Sequence, residues 1–233
     1  MSIFSSFQKR STLDASIKQV AQARKNTGGK AEQLYKGAYQ GFAKVIADNL
    51  IVSEALYHWG FALLHEAETQ ETEQAISTLE DAVGKFSFCL LMAPNYLGAA
   101  IDGGVALMSL ARISDEVSKA ALYHKAKQFF ERAGSIQKGS AAYNLACIHA
   151  LNGDETACLS ALQLAKDSGS LPDEPVVLQD ADLASIHQQP WFKEFIEQLH
   201  ILPEPELKRN EEAISIEPKI NLKKMEDFDY YSK

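Results

Sequence analysis

Sets of a small residue, a phenylalanine and a second small residue recur along the chain at helical spacing. The three sets lie 44 residues apart, and they are Ala38/Phe42/Val45, Ala82/Phe86/Cys89 and Ala126/Phe130/Ala133. Positions four and three residues apart lie on one face of an α-helix, so each set predicts a buried stripe. Gly60 and Gly104 follow the same step of 44 residues. Each unit is therefore predicted as a helix with a small residue near its middle, followed by a helix that carries the alanine and the phenylalanine.

The small residues predict where the two helices of each hairpin touch. Packed helices approach closely only where one of them lacks a bulky side chain, and protein interiors leave few voids. These close contacts are expected at Gly60, Gly104, Ala82 and Ala126. The rings of Phe86 and Phe130 are expected to fill the space beside them.

Helical periodicity runs through most of the chain, whereas no sustained alternation of apolar and polar residues predicts a strand. The predicted helices span about residues 11–24, 30–48, 51–67, 72–92, 96–112, 116–134, 140–151 and 155–168. A short helix and a helix around Trp191 follow, ending near His200. In the last hairpin, Gly153 is expected to form the turn and Asp154 to cap the next helix. The pattern predicts an all-α fold.

The shorter third unit carries a family resemblance. Ala142-Tyr143-Asn144-Leu145-Ala146, with Pro94-Asn95 at the end of an earlier unit, resembles the tetratricopeptide repeat (TPR), a pattern of about 34 residues. The resemblance covers about residues 30–200 and implies a right-handed superhelical stack of antiparallel helical hairpins. The earlier units contain about ten extra residues, at 66–74 and 113–120. Repeats of this longer kind look like those of bacterial arrays and of the plant mitochondrial outer-membrane import receptor.

The segment after the repeats resembles the closing motif of bacterial arrays. Its residues are 178–183 and 189–195. A cap is needed because the last hairpin has no neighbour to cover its apolar face. We expect Trp191, Phe192, Phe195 and Leu199 to supply that cover, and Trp191 as an anchor for a partner is the alternative.

Three regions are predicted along the chain. They are an N-terminal helix and linker at 1–29, a TPR-like repeat domain with its C-terminal cap at 30–200, and a charged flexible tail at 201–233. The tail carries isolated apolar residues such as Ile214 and Leu222. These residues could fill the groove of the repeat domain in the same molecule.

The acidic composition narrows the classes of partner. With 31 acidic and 23 basic residues the formal net charge is −8, which argues against a nucleic-acid surface. The cysteines, Cys89, Cys147 and Cys158, have no metal-binding spacing and are interpreted as reduced thiols. The sequence contains no apolar run of the length that a membrane span needs and no secretory signal pattern, so we expect a cytoplasmic protein.

Signals for catalysis and cofactors are weak. His65-Glu66 begins a metalloprotease-like pattern, but position 69 is threonine rather than the second histidine. His58 and His65 share a helix face, and a shared groove or core is favoured over a metal site. We therefore predict no catalytic residue, no metal site and no cofactor.

The TPR resemblance implies a ligand surface on the concave side, which the first helix of each hairpin lines. The positions carried over from the family are Tyr57, His58 and Phe61 in one unit, Ile101, Asp102, Val105 and Met108 in the next, and Tyr143, Asn144 and Cys147 in the third. This surface is mostly apolar and predicts an apolar peptide or amphipathic helix of another protein as partner, with Asn144 bonding the peptide backbone. The alternative is that these residues pack against a neighbouring helix.

The sequence therefore predicts a non-catalytic protein-interaction scaffold or adaptor. The alternative is an array that assembles with further copies of itself, as a homo-oligomer, or that is inhibited by its own tail. An enzyme would need converging polar groups that the sequence does not display.

Overall fold

A computed structural model describes residues 3–47 and 51–199 of the chain, with side chains from residue 10 onward. The chain divides into two compact units, with the boundary between Leu171 and Pro172. The tail predicted at 201–233 lies outside the described residues, as does His200, near which the last predicted helix ends.

The first unit is built from helices that pair in chain order. They are α1 (Ile3–Ala23), α2 (Gly28–Ala47), α3 (Val52–Ala67), α4 (Thr72–Met92), α5 (Leu97–Ile113), α6 (Glu116–Ile136), α7 (Ala142–Leu151) and α8 (Glu155–Asp167). The helices pack as four hairpins, α1 with α2, α3 with α4, α5 with α6 and α7 with α8. This arrangement is a TPR-like solenoid, and among the described residues there is no strand. The all-α prediction is confirmed.

The extra residues of the long units lengthen helices rather than loops. Both α4 and α6 contain 21 residues. The connection between α3 and α4 occupies only residues 68–71, and that between α5 and α6 only 114–115. Asp115 begins α6 by accepting a hydrogen bond from the Ser118 amide at 2.9 Å. These helices are therefore longer than those of the last hairpin of the first unit, which contain 10 and 13 residues.

The N-terminal helix is part of the stack, although the sequence suggested a segment apart from the repeats. α1 packs along α2 as the first helix of a hairpin. A Cβ added at Gly41 would lie 2.0 Å from Ser16 Oγ, so the absence of a side chain lets the two helices meet. Ser16 is 2% exposed, and its hydroxyl donates to the Thr12 carbonyl at 3.0 Å.

The predicted stripes form the core of the hairpins. All nine members of the three sets are 0–1% exposed: Ala38, Phe42, Val45, Ala82, Phe86, Cys89, Ala126, Phe130 and Ala133. A Cβ added at Gly60 would lie 2.9 Å from Phe86 Cε1, and one at Gly104 would lie 2.4 Å from Phe130 Cε1. The two glycines thus leave room for the phenylalanine rings of their partner helices, as predicted.

The last hairpin of the first unit has the predicted turn. Gly153 has a φ of +72°, in the left-handed region that suits glycine. Asp154 precedes α8, and its carboxylate accepts a hydrogen bond from the Ala157 amide at 3.0 Å. The helix start predicted from the sequence is therefore confirmed.

The second unit contains α9 (Glu174–Gln179), a 3-10 helix (Ala181–Ile186) and α10 (Pro190–Leu199). Phe192 and Phe195 are buried, and Trp191 and Leu199 are half-buried. The Phe192 ring stacks on His187 at 5.5 Å. That these side chains cap the repeats stays a prediction. None of the helices in the described ranges is long and apolar enough to cross a membrane.

Candidate functional site

The residues predicted to bind a partner lie on α3, α5 and α7, the first helices of the last three hairpins of the first unit. Half of them are buried: Tyr57, Asp102, Met108, Tyr143 and Cys147 are each 2–9% exposed. The other half keep some exposed surface, and they are His58, Phe61, Ile101, Val105 and Asn144. Burial assigns the first set to packing within the fold. Contact with a partner stays a prediction, and it is now restricted to the second set.

Tyr57 and Asp102 connect two neighbouring hairpins. The Tyr57 hydroxyl donates a hydrogen bond to the Asp102 carboxylate, so α3 is joined to α5. The Tyr57 ring lies 4.9 Å from the Tyr96 ring and 6.1 Å from the Phe86 ring. Burial, followed by the charge of Asp102, raises the pKa of Tyr57. Because both side chains are engaged with each other, they stabilise the stack and offer little to a ligand.

Gly98 makes the Tyr57 contact possible. A Cβ at Gly98 would lie 2.9 Å from Tyr57 Cε2. The first turn of α5 can therefore sit directly on the tyrosine ring of α3. This contact was missed by sequence reasoning, because no spacing rule relates a glycine in one hairpin to an aromatic ring in another.

Phe61 is one of the half-buried residues of the predicted site. Its ring lies 4.4 Å from the ring of His65, which is edge-on. The Arg24 guanidinium, at the end of α1, lies 5.4 Å from the Phe61 ring centroid, a cation–π arrangement. The sequence predicted few charges on this surface, whereas the structure places the Arg24 cation beside the Phe61 ring. Arg24, Glu68 and Arg112 are 44 residues apart, which is the signal that could have placed Arg24 at the end of a first helix.

His58 lies on the same helix and borders an ion pair. Burial lowers the pKa of His58, which favours the neutral imidazole near pH 7. Its ring is edge-on to Tyr57 at 5.0 Å. Close by, Arg10 Nη1 lies 2.6 Å from Glu54 Oε2, so α1 is tied to α3. A neutral histidine can donate one hydrogen bond and accept another, which suits recognition of a peptide.

His58 and His65 do not form a metal site with other side chains of the described residues. Nδ1 of His65 lies 3.1 Å from Glu68 Oε1. Within the described ranges, neither His58 nor His65 belongs to a group of three potential ligand side chains that converge. All three cysteines are buried, and burial raises the pKa of the Cys89 and Cys158 thiols to about 12. Such thiols are poor nucleophiles at neutral pH.

Half-buried apolar side chains form a row across successive first helices. α1 lies beside α3, and α3 lies beside α5. Ile17, Phe61 and Val105 occupy matching positions at steps of 44 residues, and all three are half-buried. We use the name first-helix face for the half-buried side chains of Ile17, His58, Phe61, Ile101 and Val105. Asn144 belongs to α7, in the next hairpin.

A cluster of exposed apolar side chains lies elsewhere in the first unit. Phe88, Leu91 and Met92, near the end of α4, are 60%, 73% and 60% exposed. Their spacing places them on one side of the helix. At the same end, the Arg132 guanidinium donates to the Pro94 carbonyl at 2.9 Å and holds α6 against the end of α4.

The hairpins, their buried stripes and their glycine contacts define the chain as a TPR-like helical repeat protein. The crystal structure of a thermophilic TPR protein from Thermus thermophilus resembles it with a TM-score of 0.52 at 18% identity. The similarity covers 77% of this chain and 81% of that one, and at this identity it concerns the fold alone.

The sequence also places the chain in a particular family. The family model described as plant specific mitochondrial import receptor subunit TOM20 matches residues 31–155, more than half of the 233 residues. The chain belongs to this family. No curated protein matches the sequence significantly. The expectation of a bacterial array is not confirmed, since the matching family is described as plant specific.

Proposed function

We propose that this protein is a receptor that binds a segment of another protein on the first-helix face, without catalysing a reaction. The observation that carries the proposal is the row of Ile17, Phe61 and Val105, half-buried at matching positions on neighbouring first helices. Such a row offers apolar contact at regular intervals. The TPR-like fold and the family, whose description names an import receptor, support protein binding over other functions.

The apolar character of the face favours an amphipathic helix as the bound segment. A helix presents apolar side chains three and four residues apart along one stripe and can lay that stripe into an apolar surface. Two polar groups of the predicted site are the imidazole of His58, on the face, and the amide of Asn144, on α7. Both groups can bond the polar side of a helix or the backbone at its end.

The family description supports a narrower version of the proposal. The segment would belong to proteins destined for import into mitochondria, and the receptor would meet them in the cytoplasm. A fluorescent fusion of the full chain tests the compartment by microscopy. A synthetic N-terminal targeting segment from a mitochondrial matrix protein, compared with a scrambled version, tests the ligand.

A matched pair of valine substitutions tests the face itself. Val105 lies on the first-helix face, whereas Val117, at the start of α6, is 90% exposed away from it. We expect Val105→Glu to weaken binding of the targeting peptide about tenfold or more, because a carboxylate replaces apolar contact. Val117→Glu should bind like wild type. Circular dichroism and thermal unfolding establish that both variants remain folded.

Equal binding by both variants would remove the first-helix face as the binding surface. Equal affinity for the targeting and scrambled peptides would exclude the proposed recognition of mitochondrial targeting segments. It would not exclude binding of other protein segments. Benzoylphenylalanine at position 105 then gives an independent answer, since a bound segment should cross-link there and not from position 117.

Self-association is a second candidate function, and the exposed end of α4 favours it. Phe88, Leu91 and Met92 present adjacent apolar side chains to solvent. A stable interface buries about 1,200–2,000 Å² in total, which exceeds what three side chains supply, so weak association is expected. Sedimentation at increasing concentration should show dimers that Phe88→Ser/Leu91→Ser abolishes; a monomer throughout would exclude this candidate.

A further inference from the structure

A pocket separate from the first-helix face lies where the end of α3, the start of α4 and the end of α5 meet. Its volume is about 330 Å³. Leu64, Ala67, Ala75 and Leu79 give it an apolar floor, and all four are 3–6% exposed. This volume lies at the low end of the range of small-ligand sites, about 300–1,000 Å³, so the pocket suits one bulky side chain rather than a helix. We call it the hairpin-end pocket.

Acidic residues lie at and beside the rim of the hairpin-end pocket. Glu68 lines it with a side chain that is 64% exposed. Thr72 also lines it, and the residues on either side of Thr72 are the exposed Glu71 and Glu73. Arg112 is the cation among the lining residues. Glu68 and Arg112 carry opposite charges at the rim, and the exposed Glu71 and Glu73 beside it add negative charge, which favours a cationic group next to whatever occupies the pocket.

One polar group of a residue in the pocket wall lacks a hydrogen-bond partner. Oε1 of Gln70 is buried, and among the described residues it has no hydrogen-bond partner. A buried acceptor without a donor is unfavourable, so a ligand that supplies an N–H gains from bonding it. The backbone amide of a peptide is such a donor. The floor, the rim and the amide therefore describe the same kind of occupant.

We propose that the hairpin-end pocket binds a linear peptide that places one bulky apolar side chain on the floor next to a lysine or arginine. The inference rests on the proposed function only in that the occupant belongs to another protein. The site and the bound feature differ, because the first-helix face takes an apolar stripe and this pocket takes a single anchor residue with an adjacent cation.

Three capped pentapeptides test the proposal with the full chain. They are Gly-Lys-Leu-Lys-Gly, Gly-Lys-Ala-Lys-Gly and Gly-Glu-Leu-Glu-Gly, each titrated into ¹⁵N-labelled protein while amide chemical shifts are recorded. The leucine peptide with lysines should bind and shift the amides of Gln70 and Thr72. The alanine peptide loses the anchor and the acidic peptide meets the carboxylates, so both should bind at least about fivefold more weakly.

Charge reversal distinguishes specific binding in the pocket from nonspecific attraction of the cationic peptide to an acidic protein. The pocket variant is Glu68→Lys/Glu71→Lys/Glu73→Lys. The control, Glu131→Lys/Glu194→Lys/Glu197→Lys, changes the net charge equally at positions elsewhere in the chain. Loss of a few screened charge contacts should weaken binding about fivefold in the pocket variant and much less in the control. Ser109→Leu, which fills the pocket edge with the charges intact, should also abolish binding.

Equal weakening in the two triple variants would overturn the proposal, as would shifts confined to the amides of Phe61 and Val105. No binding of the leucine peptide at millimolar concentration would overturn it as well. Val105→Glu distinguishes the two sites: it should leave pentapeptide binding unchanged even if the targeting peptide is lost. Failure of the first-helix face and failure of the pocket are thus separate results.

Discussion

The hydroxyl of Tyr39 in α2 donates a 2.5 Å hydrogen bond to Oε2 of Glu66 in α3. The Tyr39 ring also stacks on Trp59 of α3, with ring centroids 5.8 Å apart. The ammonium group of Lys85, in α4, lies over the Trp59 ring, 4.7 Å from its centroid. Three consecutive helices therefore meet through polar and aromatic contacts at one place. Together with the link from Tyr57 to Asp102, this gives each of the first two hairpin boundaries a polar bond that is at least partly buried.

Tyr39→Phe should destabilise the fold by about 1–2 kcal/mol, because it removes a hydrogen bond to a partly buried charged group while keeping the ring. Urea unfolding, followed by circular dichroism, measures the free energy of unfolding. The control is a double-mutant cycle with Glu66→Ala. If Tyr39→Phe costs as much in the Glu66→Ala background as in wild type, the hydrogen bond does not contribute to stability.

The pH dependence of the free energy of unfolding should reflect the titration of Glu66. Burial raises its pKa above the usual value of 4.5, although the Tyr39 bond opposes the rise. Between the unfolded and folded pKa values the folded state binds more protons, so stability is lost as the pH rises through that window. Wild type should therefore lose stability relative to Glu66→Gln as the pH rises from 4.5 through the raised pKa of Glu66. A difference between the two that stays constant over this range would contradict the assignment.

The glycine contacts predict opposite effects for two identical substitutions. Gly104→Ala places a Cβ 2.4 Å from the Phe130 ring, and overpacking of this kind costs about 1–3 kcal/mol. At Gly84, in the middle of α4, an added Cβ meets nothing within 4 Å. Gly84→Ala should therefore stabilise the protein by about 0.5–1 kcal/mol through helix propensity. Thermal unfolding midpoints should move in opposite directions, and a rise for Gly104→Ala would show that the helices are not held together there.

Asp154→Ala should destabilise the last hairpin of the first unit by about 1 kcal/mol, since it removes the acceptor for the Ala157 amide at the start of α8. Asp154→Asn keeps an acceptor and serves as the control, with little expected change. Hydrogen exchange of the first amides of α8 localises the effect. Faster exchange in the asparagine variant than in the alanine variant would be inconsistent with capping.

Much of the fold was predictable because its signals are local. The stripe of Ala82, Phe86 and Cys89 needs only helical spacing to be recognised, and each member is fully buried. The predicted ends of most helices differ by one or two residues from the observed ends. α1 is the exception: it begins at Ile3 and joins the stack, and Ser16, 44 residues before Gly60, was the signal that could have shown it.

The candidate site was less predictable because it depends on contacts between hairpins. Tyr57 occupies a ligand position of the TPR pattern, yet it is 9% exposed since Tyr96 and Gly98 of the next hairpin cover it. Asp102 was expected at the surface and instead accepts the bond from Tyr57. Residues of three helices line the hairpin-end pocket, so no single stretch of sequence predicts it.

The buried thiols have a practical consequence for measuring peptide binding. Because Cys89, Cys147 and Cys158 are all inside the fold, and two of them have a pKa of about 12, native cysteines should react slowly with maleimides. A cysteine introduced at the exposed Val117 would be the fast-reacting position. A fluorescent dye can then be attached at one chosen point without removing any native cysteine, which makes energy transfer to a labelled peptide directly measurable.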